Sequence, residues 1–209
     1  MLDPTKDHRR GVSLAFWLTP DIQARMMPFV EALKKDFPGQ HFYLSSELHV
    51  TLLTFISASE QWRKEIGDVA RFRAIVRDVL AQYSAFKVVF RGVTAAPNAV
   101  MFQGFPVDPV LESIRADIRD ACNREGFAGR LDRRYPNRAA HVTAMRFCRP
   151  QANWPRLAEV VAANRDTFFG EMAVDALQVT WGNWYASAGT VRLLAEFQLQ
   201  RTNAPAEAA

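Results

Sequence analysis

The chain has 209 residues, of which 49% are hydrophobic and 23% are charged, as in an ordinary globular domain. This composition excludes an intrinsically disordered chain, a collagen-like fibre and a coiled coil. Lys and Arg number 26 against 22 Asp and Glu, which leaves a net charge of +4. The excess is too small for a protein that packages nucleic acid, but it suits a protein whose ligand carries phosphate.

The two cysteines, Cys122 and Cys148, are too few for a disulfide-stapled secreted scaffold. The first ten residues hold charges and a proline but no apolar signal core, and the apolar run at residues 12–18 is too short to span a membrane. We therefore expect a cytoplasmic protein with reduced thiols and no membrane association.

The first part of the chain alternates between strand and helix patterns. Residues 12–18 are β-branched and aromatic and predict a strand, and a Thr-Pro-Asp start predicts a helix over residues 19–37. A second strand is predicted at residues 48–55. Apolar residues at helical spacing predict a helix over residues 62–83, although Gly67 weakens its continuity.

The remaining elements are predicted in the order strands 86–91 and 100–105, helix 108–126, strand 141–147, helix 153–164, and strands 172–181 and 190–199. Because several strands follow one another without a helix between them, the fold class is α+β with largely antiparallel sheets. We expect residues 1–201 to form a single domain and residues 202–209 to be a frayed tail.

One tripeptide, His-Val-Thr, occurs twice, within the octets LHVTLLTF (residues 48–55) and AHVTAMRF (residues 140–147). Each copy begins a predicted strand. Since side chains alternate between the faces of a strand, His49 shares a face with Thr51, and His141 shares a face with Thr143. The repeat predicts a duplicated fold with halves at about 12–96 and 97–200, in which a pseudo-two-fold axis brings the two pairs face to face.

Two facing imidazoles are suited to phosphoryl transfer involving a ribose 2′-hydroxyl. With an ordinary pKa of about 6.5, one histidine can accept a proton from the nucleophile while the other donates a proton to the leaving oxygen. The hydroxyls of Thr51 and Thr143 can donate to phosphate oxygens. We expect no metal and no other cofactor, because each copy offers a single histidine and no second soft ligand.

The paired His-x-Thr motifs, 92 residues apart, resemble those of the two-histidine (2H) phosphoesterase superfamily, which includes bacterial 2′–5′ RNA ligase-like proteins and cyclic nucleotide phosphodiesterases. The resemblance extends from the first predicted strand to the last. It implies a bilobal α+β fold with two antiparallel sheets lining a central cleft and helices outside. It also implies that His49 and His141 are catalytic, and that the protein opens 2′,3′-cyclic phosphates or makes and cleaves 2′–5′ phosphodiester bonds.

Arginine is concentrated around the second motif, since residues 130–149 contain six Arg and one Asp. Arginine suits phosphate, and Arg134 and Arg138, in a predicted loop, are the candidates to join Thr51 and Thr143 in binding it. Strand alternation places Arg146 on the face opposite His141, so it ranks below them.

Tyr43 and Tyr185 are candidates for stacking on a nucleobase, an interaction worth ~1–3 kcal/mol per base. His8 and His41 lack a Thr two residues on and are not expected to be catalytic.

The expected partner is an RNA end or a small phosphorylated nucleotide, bound by a monomer. The sequence leaves open whether the reaction is hydrolysis or ligation, and which histidine is the acid. A non-catalytic nucleotide- or RNA-binding module with the same cleft is the alternative.

Overall fold

The computed structural model of the chain describes residues 6–133, 139–150 and 153–200. Within these ranges the strands are β1 (Arg10–Trp17), β2 (His41–Phe42), β3 (His49–Ser59), β4 (Phe86–Ala96), β5 (Ala99–Pro106), β6 (Ala140–Arg146), β7 (Phe168–Val174), β8 (Ala176–Gly182) and β9 (Arg192–Gln198). The α-helices are α1 (Pro20–Asp36), α2 (Val69–Leu80), α3 (Val110–Arg124) and α4 (Trp154–Ala163). The predicted α+β class is confirmed.

The strands pair antiparallel in the order β7-β4-β5-β6-β3-β1-β8-β9, with the short β2 added to β6. At the centre, β3 and β6 are joined through a single residue pair, Val50 with Val142. This narrow junction divides the sheet into two four-stranded lobes, which correspond to the two predicted sheets. Lobe A consists of β3, β1, β8 and β9, and lobe B consists of β6, β5, β4 and β7.

Each lobe combines strands from distant parts of the chain. Strand β4 follows α2 but pairs in lobe B with β5 and β7, whereas β8 and β9, from the end of the chain, pair in lobe A beside β1. The lobes are therefore interlocked and share one continuous hydrophobic core.

The predicted strand 172–181 is wrong, because the structure has two strands there, β7 and β8, which lie in different lobes. The side chains of Met172 and Val174 are buried in the first strand, and those of Leu177 and Val179 in the second. The phase of the alternation thus shifts by one residue next to Asp175, and one strand cannot bury both sets.

The predicted helix 62–83 is divided. Two 3₁₀ turns, Trp62–Lys64 and Ile66–Asp68, precede α2, and the break falls next to the glycine that weakened the prediction. None of the helices in the described part of the chain has the length and apolar character needed to cross a membrane.

Helices α1, α2 and α3 cover one face of the sheet, and the other face is open between the lobes. Helix α1 packs on lobe B, where the rings of Phe29 and Phe102 lie 5.4 Å apart. Helices α2 and α3 pack together beside lobe A, where the ring of Phe72 lies 5.0 Å from that of Phe55. The residues that alternate with this apolar face, including His49 and Thr51, therefore point into the space between the lobes.

Candidate active site

The two His-Val-Thr motifs meet at the junction of the lobes. Because Val50 and Val142 are direct antiparallel partners, continuing the register places His49 opposite Thr143 and Thr51 opposite His141. Opposite residues in an antiparallel pair point to the same face. All four side chains line a single cleft that is open to solvent.

His49 is oriented by hydrogen bonding and stacking. Its Nδ1 lies 2.7 Å from the Glu47 carbonyl oxygen. Because a carbonyl oxygen only accepts, Nδ1 carries a proton, and Nε2 is the basic nitrogen of the neutral ring. The indole of Trp17, the cross-strand neighbour, stacks on the imidazole with ring centres 5.4 Å apart.

The Glu47 segment is itself held in place. The Glu47 carboxylate accepts hydrogen bonds from the backbone N–H groups of Leu44, at 2.9 Å, and Ala188, at 2.8 Å. The second of these joins the start of β3 to the loop between β8 and β9. The carbonyl that fixes the tautomer of His49 therefore belongs to a tightly connected turn.

The protonation of His141 is set by its burial and its electrostatic surroundings. Burial lowers the pKa of His141 to about 4, with further lowering by Arg146, His49 and Arg115, and the nearby backbone of Ala139 opposes this change. Burial also lowers the pKa of His49, where the Glu47 carbonyl opposes the change and Arg146 adds to it. Both imidazoles are therefore neutral in the free protein near pH 7.

The prediction that Arg146 faces away from the cleft is wrong, because its side chain lines the cleft with the two histidines. The pairing of β5 with β6 explains the error. Met101 pairs with Thr143 and Val100 with Met145, so β6 carries one extra residue, Ala144, at this point. This β-bulge reverses the alternation beyond it and moves Arg146 onto the face of His141.

Arg146 is held by two aromatic residues. Its Nε donates to the Tyr43 hydroxyl at 2.8 Å, and its guanidinium carbon lies 5.0 Å from the centre of the Trp184 ring. This places a fixed cation within the cleft, where its charge acts on both imidazoles and is suited to a phosphate.

The prediction that Tyr43 and Tyr185 are exposed stacking platforms is corrected by their burial. Tyr43 lines the cleft, but only 2% of its surface is exposed. Tyr185 is 4% exposed and packs against His41, with ring centres 4.7 Å apart, and it does not line the cleft. The larger aromatic surfaces that line the cleft belong to Trp17 and Trp184, which are only partly buried.

The arginine-rich segment is only partly directed at the cleft. Arg134 and Arg138 lie outside the described residues. Arg130 pairs with Asp68 at 2.7 Å, and Arg133 pairs with Glu65 at 3.1 Å. These two ion pairs neutralise part of the local positive charge, and they attach the segment to the turns that precede α2.

Asp132 connects the same segment to β3. Its Oδ1 accepts from the Thr54 N–H at 2.8 Å, its own N–H donates to the Thr54 carbonyl at 2.9 Å, and its Oδ2 pairs with Arg119 at 2.9 Å. Both Asp132 and Thr54 line the cleft. No sequence pattern indicates this link, because Asp132 is distant in sequence from its partners and belongs to no strand or helix pattern.

Sequence reasoning also missed Arg115, whose side chain is fully buried on α3. It lies four residues after Leu111 and three before Ile118, so an arginine at a position of the apolar stripe was the available signal. Its guanidinium reaches backbone carbonyls beside both motifs, at Leu52 and Ala139.

Other titratable residues lie outside the cleft. His8 is exposed, His41 packs between two tyrosine rings, Cys122 is buried and Cys148 is half-buried, and both cysteines are free. Over residues 6–133, 139–150 and 153–200, no three His, Cys, Asp or Glu side chains come together in a group that could hold a metal ion.

Comparison with known proteins identifies the family and the fold. The family described as the 2′-5′ RNA ligase superfamily matches residues 19–184. No curated protein matches the sequence significantly. Solved structures with a similar fold include TT0787 of Thermus thermophilus, at 16% identity and a TM-score of 0.66 over 91% of this chain and 98% of that one. LigT of E. coli in its apo form aligns at 15% identity and a TM-score of 0.60, over 92% and 98% respectively. The chain therefore belongs to the 2′-5′ RNA ligase superfamily, within the two-histidine phosphoesterases.

Proposed function

We propose that the protein is a metal-independent phosphoesterase that acts on RNA ends or small nucleotides, on 2′,3′-cyclic phosphates or 2′–5′ phosphodiester bonds, by acid–base catalysis with His49 and His141. The observation that carries the proposal is the Val50–Val142 pair, which brings both imidazoles and both threonine hydroxyls to one face of one cleft.

The two histidines divide the proton transfers between them. In the hydrolysis of a 2′,3′-cyclic phosphate, one neutral imidazole removes a proton from water as the water oxygen attacks phosphorus. The other, in its protonated form, donates to the ribose oxygen as the P–O bond breaks. The free protein holds both rings neutral, and a bound phosphate anion raises both pKa values, because an opposite charge nearby favours the imidazolium. Substrate binding thus favours protonation of the histidine that donates a proton to the leaving oxygen.

The phosphate lies among Thr51, Thr143 and Arg146 in this proposal. The two hydroxyls donate to non-bridging oxygens, and the guanidinium, oriented by Tyr43, balances the charge that develops on them. Arg134 and Arg138 remain further candidates for binding phosphate.

The nucleoside lies along lobe A in this proposal. That end of the cleft is lined by small residues such as Gly11, Ser13 and Ala15, which leave room for a bulky group, and by the indoles of Trp17 and Trp184, which offer aromatic surface. A solved structure titled as E. coli LigT complexed with 3′-AMP, at 14% identity and a TM-score of 0.60, supports a nucleotide as the ligand of this fold.

A substrate panel tests the proposal. The purified chain is assayed in EDTA with 2′,3′-cyclic AMP, 2′–5′-linked and 3′–5′-linked diadenosine monophosphate, and RNA halves ending in 2′,3′-cyclic phosphate and 5′-hydroxyl. Turnover of a cyclic phosphate or a 2′–5′ bond, with no reaction of the 3′–5′ bond, supports the proposal, and joined halves identify ligation. Calorimetric binding of 3′-AMP without turnover of any member would instead favour the non-catalytic binding module.

A further inference from the structure

We infer that Arg115 is a positioning residue that holds the two His-Val-Thr motifs in register with each other through their backbone carbonyls. Arg115 does not line the cleft and lies behind it on α3. The catalytic consequence of this inference rests on the proposed function, whereas its structural part, the coupling of Arg115 to His141, does not.

The guanidinium reaches both motifs at once. Its Nε donates to the Leu52 carbonyl at 3.1 Å, and one terminal nitrogen donates to the Ala139 carbonyl at 3.0 Å and, at a longer 3.5 Å, to that of Thr51. Leu52 and Thr51 belong to β3, and Ala139 immediately precedes β6. Since these strands share only the Val50–Val142 pair, the side chain of Arg115 supplies a second link between them.

The link acts directly behind His141. The Ala139 carbonyl, which accepts from Arg115, lies two residues before His141. A displacement of this peptide would therefore displace the start of β6, which carries the imidazole. The guanidinium charge also opposes protonation of His141, in the same direction as Arg146 and His49.

The surroundings of Arg115 supply a balance of charge. Glu112, one turn earlier on α3, accepts from its other terminal nitrogen at 2.5 Å, and Asp132 also stabilises the cation, whereas Arg119 opposes it. A buried arginine has a high desolvation cost unless it is paired. Lysine would keep the charge but not these contacts, because a single ammonium group lacks the planar fork that reaches several fixed carbonyls.

The first experiment measures the histidine directly, without any substrate. The imidazole proton signals are titrated by NMR in the wild type, Arg115→Met and the control Arg124→Met, with His141 assigned from the spectrum of His141→Gln. Arg124 lies on the same helix but is exposed. We expect the pKa of His141 to rise in Arg115→Met only, because a repelling cation is lost and the peptide before β6 is released from its anchor. A folded Arg115→Met protein with an unchanged His141 titration would overturn the inference.

The second experiment measures turnover of the best substrate from the panel by the wild type, Arg115→Lys, Arg115→Met and Arg124→Met. A misplaced reacting group costs up to about 100-fold. We expect Arg115→Lys to fold, since it keeps the charge, yet to lose on the order of 10-fold in kcat with little change in KM. If Arg115→Met does not fold, the kcat of Arg115→Lys alone tests the inference. A wild-type kcat in Arg115→Lys would contradict a positioning role for Arg115.

The two failures are distinguishable. A wild type that turns over no substrate defeats the proposed function and leaves the titration of His141 as the test of Arg115. A wild type that depends on His49 and His141 but tolerates both Arg115 variants defeats only the inference about Arg115.

Discussion

Val50 and Val142, the middle residues of the two His-Val-Thr motifs, are paired directly across the centre of the sheet. The pseudo-two-fold axis that relates the two motifs therefore passes between two apolar side chains in the core. The polar residues on either side of these valines point into the cleft. In this arrangement each imidazole lies opposite the threonine of the other motif, so each half of the site is completed by the other copy.

The first prediction concerns the pH dependence of stability. His141 has a pKa of about 4 in the folded protein, against about 6.5 in an unfolded chain. Between these values the unfolded state binds more protons, so acidification favours unfolding, by roughly 2 kcal/mol between about pH 6.5 and about pH 5. His141→Gln should therefore lose less stability than the wild type over this interval in urea titrations. His8→Gln, at an exposed site, is the control, and equal losses in all three proteins would contradict the prediction.

The second prediction concerns the cation in the cleft. Arg146→Met should lower kcat/KM for the best substrate of the panel about 10–100-fold, the effect of losing a charge-assisted hydrogen bond. The pH–rate profile should also move to higher pH, because Arg146 lowers the pKa values of both His49 and His141. Arg149→Met changes an exposed arginine of the same arginine-rich segment and should leave both properties unchanged. An unshifted profile in Arg146→Met would show that the guanidinium does not act on the histidines.

The third prediction concerns the close approach of β5 to the start of β6. A Cβ at Gly104 would lie 2.7 Å from the carbonyl oxygen of Ala140, the residue before His141. Gly104→Ala should destabilise the protein by about 1–3 kcal/mol and reduce kcat about 10-fold by displacing His141. A Cβ at Gly67 meets nothing within 4 Å, so Gly67→Ala is the matched control. Full activity in Gly104→Ala would contradict the prediction, because it would show that displacing the backbone before His141 does not affect catalysis.

The fourth prediction concerns the attachment of the arginine-rich segment to β3. Asp132→Ala removes the carboxylate that binds Thr54 and Arg119, and it places alanine at a φ of 48°. We expect a loss of about 1–3 kcal/mol in the free energy of unfolding. Asp78→Ala removes a carboxylate that is 65% exposed and should cost less than about 0.5 kcal/mol. Equal losses from the two changes, measured by urea denaturation, would refute the role of Asp132.

The sequence revealed the four motif residues because their signal is local. A repeated tripeptide on two strands fixes which side chains share a face, and the antiparallel pairing in the structure brings those faces together. Most elements also followed from local patterns. The exceptions are the predicted helix 62–83, which is divided into two 3₁₀ turns and α2, and the predicted strand 172–181, which becomes β7 and β8 where the phase of burial shifts beside Asp175. That shift is a local feature of the sequence, in which Met172 and Val174 alternate in one phase and Leu177 and Val179 in the other.

The remaining contributors to the site depend on tertiary structure. Arg146 enters the cleft through a β-bulge that only the pairing of β5 with β6 reveals. Arg115 and Asp132 act through carbonyls and amides that are distant in sequence. Tyr43 lines the cleft, but its burial and its hydrogen bond to Arg146 make it a support for the cation rather than a platform for a base.

The central claim is that two facing histidines catalyse phosphoester chemistry together, and the pH–rate profile in EDTA tests it most directly. Hydrolysis of 2′,3′-cyclic AMP and of the 2′–5′-linked dinucleotide is measured for the wild type, His49→Gln, His141→Gln and the double variant. We expect a bell-shaped wild-type profile, a loss of about 10²–10⁴-fold in each single variant, and little further loss in the double variant, because the two residues act as a unit. Activity that survives both substitutions, or that EDTA abolishes in the wild type, would contradict the account.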